Sequence, residues 1–87
     1  MVIDHYNAGR YISGNASAIV ASNNSVFLGS QTKALADNQT NQIVIGYDAT
    51  GIGSNTVVLG NDSIVTTALK GNVGIGTTVP RESLEIS

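Results

Sequence analysis

The residue types that do chemistry are scarce in this chain, and their spacing limits what they can do. His5 is its one histidine, and there is no cysteine. Imidazole and thiolate therefore cannot build a metal cluster, and no disulfide can form. Asp48 and Asp62 each stand two places after a glycine, in Gly46-Tyr47-Asp48 and Gly60-Asn61-Asp62. A calcium-binding roll loop needs Gly-Gly-x-Gly-x-Asp. The paired glycines and their repetition are missing, so both acids read as solvated corner residues. No Ser-His-Asp set and no close carboxylate pair can be drawn. The expectation is a chain with no catalytic residue, no metal ligand and no cofactor.

The remaining polar candidates are amides and phenols. Asn24, Asn41, Asn55 and Asn72 recur at expected corners. Asn suits corners, because its side chain bonds nearby backbone and tolerates left-handed conformations. Ladders of such side chains along a shared axis would hold anions or waters. Four Asn-x-Ser/Thr sequons, beginning at Asn15, Asn23, Asn38 and Asn61, read as by-products of this composition. Tyr6, Tyr11 and Tyr47 are possible sugar-stacking platforms. Tyr47, at a corner, is expected to be exposed and is the candidate glycan contact.

These residues are positioned by a phrase stated three times. Asn24-Ser25-Val26-Phe27-Leu28-Gly29 returns as Asn41-Gln42-Ile43-Val44-Ile45-Gly46, and again as Asn55-Thr56-Val57-Val58-Leu59-Gly60. The copies start at positions 24, 41 and 55, and a fainter echo, Asn72-Val73-Gly74-Ile75-Gly76, starts at position 72. A period this short holds a strand, a turn and a short return, which predicts a stacked solenoid. Gly29, Gly46, Gly60 and Gly76 end their strands, where the backbone needs a conformation that glycine accepts cheaply. A smaller strand is expected to run back over residues 49–53. The extra residues of the first repeat, near 37–40, are expected to bulge from a corner.

Three segments follow: a lead-in with a partial coil over 1–23, a β-roll body over 24–70, and a Gly-rich exit and neck over 71–87. Residues 17–21 are β-prone. Pro80 is expected to end regular pairing, and residues 81–87 read as a strand or the first turn of a helix.

Composition narrows the function classes. The chain has 87 residues and a net charge of −2, with four basic side chains and no basic patch. Nucleic-acid binding is therefore not expected. No apolar run approaches the roughly 20 residues of a membrane span. Residues 1–15 lack a long apolar stretch after a basic start, so no signal peptide is expected. The repeats read as a piece cut from a longer protein. A chain this small buries little and usually needs help to be stable. With no disulfide and no metal, assembly with other chains is the help that remains.

Strand alternation assigns the faces. Val26/Leu28, Ile43/Ile45 and Val57/Leu59 are expected to form the roll core. Phe27, Val44 and Val58, facing the opposite way, then make an apolar stripe, and exposed stripes mark interfaces. Each large apolar side chain fully buried contributes roughly 1.5–3 kcal/mol. No segment has a clean 3.6-residue apolar period that would supply a covering helix layer. Self-association in closed cyclic symmetry is expected, the number of chains not being fixed by the pattern.

Residues 41–54 resemble the head repeat of trimeric autotransporter adhesins. That repeat reads Asn-Ser-Val-Ala-Ile-Gly, two variable residues, then small residues alternating towards a Gly. Ile43, Ile45, Gly46, Ala49, Gly51 and Gly53 take the matching places, and residues 24–29 match the opening. The family has Ala where this chain has Phe27, Val44 and Val58. Residues 71–80, followed by Leu84 and Ile86, are similar to the stretch in phage tail fibres and tail spikes just before a C-terminal chaperone domain. In those fibres that domain trimerises the chain and is often removed by its own serine peptidase activity. The combination resembles phage or prophage tail-fibre proteins more than surface adhesins.

The resemblance implies an all-β, parallel, left-handed β-roll with 14–17-residue repeats, assembled as an intertwined or side-by-side homotrimer. It implies a non-enzymatic structural segment used in attachment to a host cell surface, located in a virion tail fibre. Its partners would be two further copies of itself and a host-surface glycan or receptor. The alternative is a bacterial adhesin head, on the cell surface, that binds matrix or glycan. A rival from another class is the hexapeptide acyltransferase, which repeats an aliphatic residue every six positions. Residues 45–50 and 59–64 each fit one unit, but Gly51 and Gly71 break the register, and His5 lies outside it.

Overall fold

The chain turns where asparagine or glycine accepts a left-handed backbone, and runs straight where β-branched residues cluster. Asn24, Asn41 and Asn55 have φ of 52°, 57° and 62°, while Gly29, Gly46 and Gly60 have φ of 123°, 124° and 92°. A strand lies between the two members of each pair. The computed structural model describes residues 2–4, 8–13 and 22–87. It is all-β, with no helix among those residues, and its parallel strands stack as a β-solenoid of about four turns.

The first coil holds β1 (Val2–Asp4), β2 (Tyr11–Ile12) and β3 (Ser22–Asn23). The second holds β4 (Val26–Leu28), β5 (Lys33–Ala34) and β6 (Gln39–Thr40). The third opens with β7 (Gln42–Ile45) and the fourth with β8 (Thr56–Leu59). Beyond them lie β9 (Val73–Ile75) and β10 (Leu84–Ile86). The main sheet has the order β1-β4-β7-β8. Its register aligns Val2, Val26, Ile43 and Val57 in one column. The return limbs pair as well, with Tyr11 beside Lys33, Lys33 beside Thr50, and Ser22 beside Gln39. Stretches of the lead-in thus pair in register with the later coils. Residues 61–70 carry no strand. His5, Tyr6 and the β-prone residues 17–21 lie outside the described residues.

Two local details follow from residue type. The second limb of the third coil is reduced to a single bridging residue, Thr50. Its neighbours Ala49, Gly51 and Gly53 are weak strand formers, so no full strand develops there. The longer second coil spends its additional residues between Ala34 and Thr40: Lys33 lies beside Thr50, 17 positions on, whereas the Thr40 amide meets the Ser54 hydroxyl 14 positions on. Insertions are cheapest at such a corner.

The core is narrow. Phe27, Ala34, Val44 and Ala49 form its one cluster among the described residues. Lys33 is also buried, and its ammonium is paired with the Asp48 carboxylate at the adjacent corner. The Cα radius of gyration is 14.4 Å, with extents of 44 × 24 × 18 Å. A compact chain of this length would have a radius of about 12 Å, so this one is drawn out.

Candidate functional site

The main sheet offers two faces, and their roles are the reverse of the sequence expectation. Phe27 and Val44 are 0% and 1% exposed, inside the roll, and Val58 on the same face is half-buried. The pairs expected in the core point outward. Leu28, Ile43, Val57 and Leu59 are 36%, 37%, 57% and 58% exposed, and Val26 and Ile45 are half-buried beside them. The apolar stripe therefore exists, built from Val26/Leu28, Ile43/Ile45 and Val57/Leu59.

Volume decides which face goes in. The return limb lies so close that it carries only small residues opposite the sheet: Ala8, Ala34, Ala49 and Gly51 are buried there. A Cβ on Gly9 would lie 2.9 Å from the Phe27 ring, and one on Gly51 would lie 3.3 Å from Val44 Cγ2. Each of these coils takes one large apolar side chain from the sheet, Phe27 and then Val44, with Ser25 and Gln42 beside them. A face bearing two branched residues per coil would overfill that space, and overpacking is destabilising. The signal available in the sequence was the run of Ala and Gly in the return limb. A second signal misdirects: Ser25 and Gln42 share the face of Phe27 and Val44 and are buried with them, at 2% and 1% exposure. Polar residues on a face normally mark it as the outer one.

Those polar residues are unequally satisfied. The Ser25 hydroxyl accepts the Gln42 backbone N–H at 3.3 Å. The side-chain amide of Gln42 has no hydrogen-bond partner at either Nε2 or Oε1. A buried amide left unpaired costs about 1–3 kcal/mol.

The corners are built as ladders. Gly29, Gly46 and Gly60 stack so closely that a Cβ on Gly29 would lie 2.9 Å from the Gly46 carbonyl carbon, and one on Gly46 would lie 3.1 Å from Gly60 Cα. Gly76 also has a positive φ, 76°. At the opposite strand end, Asn41 Nδ2 donates to Asn55 Oδ1 at 2.9 Å. Asp48, at φ 56°, occupies a left-handed corner and pairs with Lys33, while Asp62 is exposed. Among the described residues no three His, Cys, Asp or Glu side chains lie together as a metal site would need. Tyr47 is exposed at the rim of an open groove of about 660 Å³ at the C-terminal end of the roll, whose walls include Asp48, Ile52, Val58 and Asp62.

Comparison with protein-family models, with curated proteins and with solved structures finds no match. Among the described residues no helix is long and apolar enough to cross a membrane. An apolar stripe runs along the outer face of the sheet. It carries six aliphatic side chains in two columns over β4, β7 and β8, strands whose register fixes their spacing, and the second column ends at Asp4 of β1, beside Leu28. Such a surface can bury itself against another apolar surface. Covering the exposed half of four large side chains contributes on the order of 3–5 kcal/mol per chain.

Proposed function

We propose that this chain is a structural segment of a homotrimeric fibre. Three left-handed β-rolls, their coils spaced by the recurring strand phrase, lie side by side with their outer stripes turned to a common axis. The assembly is a rigid stalk or head used in attachment to a host cell surface, as in a phage tail fibre, and it performs no catalysis. The observation that carries this reading is the outer stripe: the roll interior is already filled by Phe27 and Val44, yet Ile43, Val57 and Leu59 remain outside in register. The strand phrase and its resemblance to trimeric adhesin heads and tail fibres support the chain count and the setting.

Light scattering tests the reading. The chain is 8.9 kDa, and the expected particle has three times that mass. Ile43→Asp places a charge in the stripe and is expected to reduce the particle to single chains while β-sheet circular dichroism persists. A folded 8.9 kDa particle for the unaltered chain would sink the reading. A second reading, a bacterial adhesin head that touches matrix or glycan itself, draws on exposed Tyr47 beside the end groove.

A further inference from the structure

The exit repeats the outer face of the roll while discarding its interior. β9 and β10 are parallel, with Leu84 beside Val73 and Ile86 beside Ile75. Aligned on its closing glycine, β9 is another copy of the strand phrase. Val73 and Ile75 stand where Val57 and Leu59 stand, and Gly76 stands where Gly60 stands. The stacking of closing residues recurs, since a Cβ on Gly76 would lie 3.0 Å from Ser87 Cβ. One position departs. The inward residue, Phe27, Val44 and Val58 in successive coils, is Gly74 here. A Cβ on Gly74 would collide with the Thr77 carbonyl oxygen, where the chain turns back directly after the strand.

The exit is thus a coil with no inside. Val73, Ile75, Leu84 and Ile86 share one face by register, and the last three are exposed. Gly74 and Glu85 lie on the other face, where Glu85 accepts the Arg81 backbone N–H at 2.7 Å. No residue from 61 to 87 is buried. Two strands of three residues do not hold themselves together in water. Order in this unit needs a cover over the apolar face.

We propose that the cover is further copies of this chain, continuing past the roll the same self-association face that the roll presents. The outward pair is kept through every strand of the phrase while the inward residue shrinks to nothing. That is the pattern expected if what lies outside is constant from roll to exit. Ile64 closes the glycine column of the roll: its Cγ1 lies 2.8 Å from where a Gly60 Cβ would be. This inference rests on the reading of the roll stripe as an interface between copies.

Two readouts on the full chain separate the two claims. Leu84→Cys puts the only thiol of the chain on the apolar face of the exit, and Glu85→Cys puts it on the opposite face. Each variant is treated with a short bis-maleimide and run on a denaturing gel, with light scattering on the untreated sample. An oligomeric chain in which Leu84→Cys links chains at least fivefold more than Glu85→Cys supports the proposal. An oligomeric chain with equal or lesser linking through Leu84→Cys overturns it and leaves the roll interface standing. A single-chain mass overturns both. Should Leu84→Cys fail to assemble, Ile86→Cys on the same face decides by the same comparison.

Discussion

The two faces of the main sheet are both apolar, yet they answer to different constraints. The inner face meets a return limb of alanine and glycine at fixed distance, so it takes one large apolar residue per coil and tolerates little change in volume. The outer face meets no limb of its own chain among the described residues. On β4, β7 and β8 it carries two branched residues per strand, in regular columns, without any matching surface among the described residues. The contrast teaches that hydrophobicity selects the residues of a β-roll, whereas the width of the interior selects the face. In a wide sandwich the larger pair would go inside; in this narrow roll it is excluded.

Neighbouring substitutions sharpen that contrast. Val44→Asp, one residue from Ile43, buries an unpaired charge and is expected to abolish the fold, because such a change exceeds about 4 kcal/mol in a domain of marginal stability. Circular dichroism should show loss of β structure for Val44→Asp, against retention with reduced mass for Ile43→Asp. If both variants behave alike, the two faces are not distinct. Next in size is Gly46→Ala, which tests whether the coils stack as tightly at the corners as at the core. With φ of 124° and Gly60 Cα 3.1 Å from the added carbon, it is expected to cost about 1–3 kcal/mol. A lowered urea midpoint at unchanged slope would register it. The smallest effect is of opposite sign. Gln42→Leu replaces an unpartnered buried amide with a side chain of similar size and is expected to stabilise by about 1–2 kcal/mol. That is roughly 4–8 °C of melting temperature per kcal/mol for a domain of this size. A fall instead would show that the amide is held by something within the roll.

Much of this architecture was legible in the residues. The phrase placed strands at residues 26–28, 43–45 and 57–59, where β4, β7 and β8 lie. The closing glycines and the Asn24, Asn41 and Asn55 corners adopt the left-handed conformations that their side chains favour. These features are local, and local preference reports them. The assignment of faces is not local. It depends on the separation between two limbs, which is set by Ala34, Ala49 and Gly51 acting together. The pairing of β9 with β10 was hidden for a related reason. Leu84 and Ile86 announce a strand, but its partner is a glycine-bearing segment whose inward residue is missing. The candidate interface was therefore foreseen as a stripe and misassigned to Phe27, Val44 and Val58, whose size suits the interior.

The parallel register has a consequence for reach. Each coil advances the stack by one strand spacing, about 4.8 Å, although 14 extended residues would span about 46–50 Å. Roughly nine-tenths of the contour length is thus given up. What returns is countability: the height of the rod is the number of coils multiplied by a fixed step, indifferent to how many residues each corner holds. The additional residues between Ala34 and Thr40 widen one coil and leave the rod no taller. Such a chain measures distance by counting coils, and duplicating a coil would move whatever it carries outward by one step, turned by the twist of one strand on the next.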